Sequence, residues 1–561
     1  MEPFENPEPI RRRFDAGEPR LTSETRRGRK TRERTPQIYK VCDGASEALI
    51  YFMVVFTPWA FGTTEEWSIW TMNVTAYLLG GLLITKWIVR WHLGFKPARW
   101  GEETNGDDLV KLPPSGTAAL TRSLTVVLAA LTCFILAYCL VSALNARAVY
   151  LPGLRRFEYF DTIKWLPQSY DAASTWQSFW MYLGLAFFFW SLRDWLLGKT
   201  SQERHRSPVY SKEGVGLGED PEMPRLGATQ VEMPPWRSPA TAHSSYIPAR
   251  LRRLLWVLCI NGAILAVESI LQRLSGTNKL LWLLEPRLNI TAESQFGPYA
   301  YRSNAAQYFN LLWPVCLGFW MLLRRAALRK HRVGARIGEG SHVVLLPAAV
   351  LMAACPVIST SRGGALVAMA NLMAALAIVL WAIRKESLLM RASVIALFVA
   401  IAALSGYLGW HKLAARMKTI FEDQMSRRTE IYENALPIAR DFPVFGTGPG
   451  TFGSLYQLYR SVPSQSWAAY VHDDWLETRI TFGWVGFTAI LAMFLTLVAR
   501  PFGTDGLGLP FEFFALVTLS LGGCLMHAKF DFPFQIYSVV FLFCLFAALQ
   551  FCLTPQRLAG S

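Results

Sequence analysis

The sequence predicts an all-α polytopic membrane protein with about twelve transmembrane helices. The chain has 561 residues, of which 52% are hydrophobic and only 17% are charged. The apolar residues gather into long runs of about 20, the length that a helix needs to cross the hydrocarbon core. Segments of about ten residues with alternating polarity, which are typical of a membrane β-barrel, are not seen.

Twelve apolar runs are separated by short charged stretches. They cover residues 43–63, 68–90, 119–143, 176–197, 250–272, 304–323, 342–360, 364–383, 391–410, 478–499, 511–528 and 536–553. We expect each run to be a helix, because a helix satisfies all of its own backbone hydrogen bonds in lipid.

Lys and Arg set the expected orientation, since they favour cytoplasmic loops. Residues 1–42 are predicted to be a disordered basic cytoplasmic tail, with mixed charge and little apolar periodicity and without the features of a signal peptide. The bundle then covers 43–553, with a flexible cytoplasmic loop at 198–249 and a cytoplasmic end at 554–561. The large external loop, 411–477, lies between the ninth and tenth spans and contains a predicted helix at 428–441.

The net charge of +15 lies mainly in the tail and the basic loops. A basic membrane protein does not need a nucleic-acid partner to explain such a charge, and we expect none. The nine cysteines lie in or beside apolar runs without a CxxC pair, so we expect neither disulfides nor a zinc site. No cofactor is expected.

Three residues on the predicted external side are candidates for chemistry. Arg362 lies between two apolar runs, where an arginine must be paired or face a wet cavity. Arg428 begins a helical stretch that places Tyr432 on the same face. His472 precedes the tenth span and could act as a general base. The alternatives are a snorkelling turn arginine, a solvated loop charge and an interface histidine at an acidic helix start.

Four segments together resemble the O-antigen ligase/polymerase superfamily of bacterial surface-polysaccharide enzymes. Residues 361–366 (Ser-Arg-Gly-Gly-Ala-Leu) look like the family's Ser-Arg-Gly turn, and 428–450 look like its Arg-x-x-x-Trp and Gly-rich stretch. Residues 472–477 look like its His-Asn segment, and 302–306 are similar to its Asn-rich entry to a span. Asp473 stands where the family usually has Asn, and Tyr432 stands where Trp is common.

The resemblance implies a glycosyltransferase-C-like bundle in the bacterial inner membrane, with the active site facing the periplasm. The implied partners are an undecaprenyl-diphosphate-linked glycan, a lipid or glycan acceptor, and membrane lipids. It implies a metal-independent, inverting transfer with Arg362, Arg428 and His472 as catalytic residues. The expected substrate-binding residues are Arg302, Asn304, Tyr432, Asp473 and Asp474.

Three other functions remain open on the sequence. A repeat-unit polymerase of the same superfamily would differ only in its acceptor. A transporter of a polysaccharide precursor or a small anion would bind near the membrane midplane, often within paired repeats. A scaffold for a polysaccharide-export complex would need no shared cavity for the three candidate residues.

Overall fold

The computed structural model describes residues 35–100, 116–206, 247–332, 342–422, 424–462, 468–503 and 506–556, and these residues are mostly helical. The helices are α1 (Gln37–Trp59), α2 (Glu66–Leu93), α3 (Gly116–Leu144), α4 (Ala172–Leu197), α5 (Ser201–Arg206), α6 (Ala249–Ser275), α7 (Arg302–Arg332), α8 (Leu345–Ile358), α9 (Arg362–Ala382), α10 (Leu388–Glu422), α11 (Gln424–Asp441), α12 (Phe452–Leu455), α13 (Asp474–Ala499), α14 (Phe511–His527) and α15 (Tyr537–Cys552).

In the part of the chain that the structure describes, four short strands lie outside the helices. Strands β1 (Ala148–Leu151) and β2 (Arg156–Tyr159) form an antiparallel pair, and β3 (Leu507–Pro510) pairs in parallel with β4 (Leu553–Gln556). Within the described ranges, neither pair extends into a larger sheet. The prediction of an all-α polytopic membrane protein is therefore confirmed at the level of class.

Each of the twelve predicted spans falls on a helix. Among the described residues, eight helices are long and apolar enough to cross a membrane, namely α1, α2, α3, α6, α7, α9, α10 and α13. Helices α8, α14 and α15 are apolar but shorter, and the 26-residue α4 is not among the eight. The count of twelve crossings and the glycosyltransferase-C likeness stay predictions.

Several predicted boundaries need correction. Helix α1 begins at Gln37, inside the predicted tail, and residues 1–34 lie outside the described part. The 198–249 loop contains α5, and 207–246 lie outside the description. In the 411–477 segment, α10 continues to Glu422, because its Ala-Ala-Arg-Met-Lys stretch keeps good helix formers beyond the apolar run. The helix predicted at 428–441 is present as α11, and β4 occupies the start of the predicted 554–561 end.

Helix α7 lies at the centre of the bundle. About two thirds of its apolar window is buried (67%), against 22% for α3, α10 and α13, whose exposed apolar faces suit lipid. It packs against α8, α9 and α14, and its first residues therefore meet the beginning of α9 and the end of α14. That meeting point positions the site described next; we call this the site end of the bundle.

Candidate active site

His472 is held by the turn that precedes α13. Its backbone has a φ of +61°, which is uncommon for a residue with a side chain and tends to occur at functional sites. Its Nδ1 lies 3.1 Å from Oδ1 of Asp531, and its ring packs edge-on against Phe532 at 4.8 Å. Because the carboxylate accepts from Nδ1, the hydrogen bond favours the tautomer that leaves Nε2 able to accept a proton.

Asp531 lies in the short segment between α14 and α15. It is 3% exposed, and its second oxygen accepts a hydrogen bond from the Ser303 hydroxyl. Burial alone would raise the pKa of Asp531, but the hydrogen bond with His472 and the nearby His527 hold that pKa below its usual range. The carboxylate therefore stays ionised at neutral pH and can stabilise a protonated His472.

Arg428 and Tyr432 contact the same two segments from one face of α11. A guanidinium nitrogen of Arg428 donates to the Phe530 carbonyl at 2.8 Å, one residue from Asp531. The Tyr432 hydroxyl donates to the His472 carbonyl at 3.1 Å. Helix α11 therefore joins the His472 turn to the Asp531 segment, as their one-turn spacing predicts.

Arg362 is the first residue of α9. The preceding Ser361 caps the helix, since its hydroxyl accepts from the Gly364 amide at 3.1 Å. The same hydroxyl lies 3.1 Å from the Ser303 hydroxyl, which connects this turn to Asp531. Arg362 and Arg428 lie close enough for their charges to repel each other. The structure thus brings the surroundings of all three predicted catalytic residues together.

Three further arginines surround the Arg362 turn. Arg273, at the end of α6, donates to the Ser359 carbonyl at 2.7 Å, and Arg416 of α10 donates to the Thr360 carbonyl at 3.2 Å. Arg302 donates to the Glu293 carbonyl and lies within electrostatic reach of the other two. Such a concentration of guanidinium groups favours an anion with several charges.

A break in helix α13 fixes the position of α11 relative to α13. Helix α13 is interrupted at Gly483, where φ is +61° and ψ is −167°. Segment 443–448 docks at this break, with the Thr447 amide donating to Ile480 at 2.9 Å and the Trp484 amide donating to Pro443 at 2.9 Å. A side chain at Gly446 would collide with the Gly483 amide, so the Gly-rich stretch is needed for close approach.

Asp473 and Asp474 have structural contacts. Asp473 is the N-cap of α13, accepts from the Trp475 and Leu476 amides at 3.1 Å, and pairs with Lys529 at 2.5 Å. Because Asn caps helices as well as Asp does, a family that usually has Asn at this position keeps the same cap. Both oxygens of the buried Asp474 accept from the segment at 534–535, at 2.8 and 3.2 Å.

Asn304 is also buried. Its Oδ1 has no hydrogen-bond partner within the described part of the chain. In that same part, no three His, Cys, Asp or Glu side chains come together as a metal-ligand set.

The sequence predicted the two arginines and the histidine as site residues but gave no role to Asp531, Ser303, Arg273 or Arg416, which the structure places around them. Asp531 had a usable signal, since it is the one carboxylate in a short aromatic stretch between two apolar runs, at 528–534. In the sequence, Arg273 and Arg416 look like ordinary charges at the ends of apolar runs. Only the fold shows that both contact the turn before Arg362.

Residues 347–491 match a family model described as O-antigen ligase. The matched range holds Arg362, Arg428 and His472, whereas Ser303 and Asp531 lie outside it. A search of curated proteins found no match. The match over residues 347–491 confirms the resemblance to the O-antigen ligase/polymerase superfamily that the motifs predicted.

Proposed function

We propose that the chain is a membrane glycosyltransferase that moves a glycan from an undecaprenyl-diphosphate carrier to an acceptor hydroxyl at the outer face of the inner membrane. The observation that carries the proposal is the His472–Asp531 pair, placed beside a cluster of arginines at one end of the bundle. A base beside an anion site is what transfer from a diphosphate leaving group requires.

Arg362 and Arg428 stabilise the leaving group. As the bond between the anomeric carbon and the phosphate oxygen breaks, the electron pair goes to the diphosphate, whose charge therefore grows in the transition state. Guanidinium groups remain charged and bind phosphate through two parallel hydrogen bonds. The Phe530 carbonyl holds the Arg428 side chain, and the Ser361 cap fixes the helix start from which Arg362 projects, so both charges are at the site end before the reaction begins.

His472 activates the acceptor. Its Nε2 takes the proton of the acceptor hydroxyl while the oxygen forms a bond to the anomeric carbon. Asp531 stabilises the resulting imidazolium through Nδ1, as the carboxylate does in a hydrolase triad. Attack opposite the leaving diphosphate inverts the anomeric centre, with neither a covalent intermediate nor a metal.

The proposal covers a ligase and a repeat-unit polymerase alike, because the donor chemistry is the same in both. The two differ in the acceptor, which would be a lipid for a ligase and a glycan for a polymerase. The O-antigen ligase domain favours the ligase.

The test is to incubate the purified full-length chain with an undecaprenyl-diphosphate-linked glycan and either acceptor, to identify the product by mass and to read its anomeric configuration by NMR. We expect one product with inverted anomeric configuration and free undecaprenyl diphosphate. His472→Ala should abolish product while the protein still inserts and elutes as a single species. Full transfer by that variant, or movement of the intact lipid-linked glycan across vesicles without transfer, would contradict the proposal.

A further inference from the structure

A polar cavity lies at the opposite end of the bundle from the site. Helix α6 carries Arg250 near its first residue and Arg273 near its last, so these ends are about 35 Å apart at the usual rise of a helix. Arg273 contacts the Arg362 turn, whereas Arg250 lines a cavity of about 250 Å³. That volume is just below the range of small-molecule pockets, roughly 300 Å³ and above, and suits a headgroup-sized ligand.

The lining of this cavity is strongly basic. It is formed by the beginnings of α1 and α6, the segment after α2 and the segment around α5. Among the residues that the structure describes, five cations line it against two carboxylates: Lys40, Lys199, Arg204, Arg250 and Arg253 against Asp43 and Glu47.

Both carboxylates are already engaged. Asp43 pairs with Arg250 and Lys86, and Glu47 pairs with Arg253 at 2.8 Å. Lys199 instead lies over the Trp100 ring at 4.9 Å, and Arg204 donates to the Thr35 hydroxyl at 2.8 Å.

Two observations indicate that these cations are placed to bind an anion. Within the described ranges, Lys40, Lys199 and Arg204 have no carboxylate at ion-pair distance. Arg250 is only 8% exposed, yet its Nε has no hydrogen-bond partner in the same part of the chain. A buried donor without a partner is costly, and a ligand oxygen is the natural acceptor where several guanidinium and ammonium groups converge.

We propose that this cavity binds a phosphate group, supplied by an anionic phospholipid headgroup or by soluble phosphate. Clustered Lys and Arg at a membrane surface attract anionic headgroups, and a phosphate would join the ends of α1, α4, α5 and α6. Ordinary interface cations offer no such cavity: Arg252 is next to Arg253 on α6 but does not line it. The site is independent of the proposed transfer reaction.

The double variant Lys199→Gln/Arg204→Gln removes two cations that have no carboxylate partner, and Arg252→Gln removes one charge from the same helix end without touching the cavity. Each purified full-length protein, in neutral detergent, is titrated with phosphatidylglycerol, phosphatidylcholine or inorganic phosphate, and bound ligand is followed by thermal shift and native mass spectrometry. We expect the wild type and Arg252→Gln to bind phosphatidylglycerol at least tenfold more tightly than the double variant.

Preference for phosphatidylglycerol over phosphatidylcholine assigns the site to an anionic lipid, and binding of inorganic phosphate alone assigns it to a soluble ligand. Equal affinity of the double variant and Arg252→Gln, or no binding of either anion by the wild type, would overturn the proposal. If the double variant does not fold, the single change Lys40→Gln, at an exposed residue, replaces it.

Discussion

Among single residues, Asp531 is the one on which His472 most depends. Replacing it by Asn keeps the shape of the side chain but removes the charge that stabilises an imidazolium, and an amide can force the wrong tautomer. We expect Asp531→Asn to lower kcat roughly 10²- to 10⁴-fold, which is the rate acceleration that a general base usually contributes. The KM for the donor should change little. Steady-state kinetics with the lipid-linked glycan measure both.

The control for this prediction is Ser303→Ala, which removes the hydrogen bond to the other oxygen of Asp531 but leaves the His472 pair. Its loss in kcat should be clearly smaller. Equal losses in the two variants would mean that the carboxylate acts by holding the α7 end in place and not through His472.

Asp473 gives a second prediction at this scale, because its contacts are those of a helix cap. Asp473→Asn keeps an acceptor for the α13 amides and loses only the pair with Lys529, whose side chain is 62% exposed, so it should behave nearly as the wild type. Asp473→Ala should lower the free energy of unfolding by about 1 kcal/mol. Thermal unfolding compares the stability of the two variants. A large loss of activity in Asp473→Asn without a loss of stability would instead indicate that Asp473 contacts the substrate.

At the scale of elements, two arginines hold the turn between α8 and α9. Arg273 and Arg416 donate to successive carbonyls, and the second of these belongs to Thr360, whose φ is +61°. Both are positioning residues in this view, since they place the turn that presents Arg362.

Arg416→Lys tests that role because it keeps the charge but loses the directed guanidinium donors. We expect kcat to fall roughly tenfold or more, because a small displacement of a catalytic group slows the reaction strongly. The KM for the donor should change little. The matched control is Lys412→Gln, an exposed cation one turn earlier on α10. If Arg416 acted only through its charge, the lysine variant would keep full activity.

At the scale of elements too, Gly483 marks the break in α13 and leaves no space for a side chain. An added Cβ would lie 2.2 Å from the Val444 carbonyl oxygen, and its φ and ψ belong to a region that is essentially open to glycine alone. We expect Gly483→Ala to separate α11 from α13 and to lower both transfer activity and the midpoint of thermal unfolding. Gly406→Ala, in open space on α10, should be neutral or slightly stabilising. A stable, active Gly483→Ala would show that the break in α13 is not needed.

At the scale of the whole molecule, sequence patterns predicted the helices well because long apolar runs have few alternatives in lipid. They also predicted Arg362, Arg428 and His472, since charged or titratable residues are conspicuous beside apolar runs. They could not predict Asp531 as the partner of His472, because the two are 59 residues apart and meet only when the end of α14 and the segment after it reach the beginning of α13. The extension of α10 was missed because helix propagation does not stop where the apolar residues stop.

The same packing gives the molecule two chemically distinct ends, and their sides of the membrane can be tested directly. Ser461 lies at the site end, in the segment after α12, and Ser201 lines the basic cavity at the other end. We expect an impermeant maleimide to label Ser461→Cys in right-side-out membrane vesicles and Ser201→Cys only in inverted ones, because the basic loops favour the cytoplasm. The wild type, whose nine cysteines lie in or beside apolar helices, measures the background. Labelling of both positions from one side would mean that the chain between α5 and α12 crosses an even number of times and not the odd number predicted. If that side were the cytoplasmic one, the glycan would have to reach His472 from the cytoplasm.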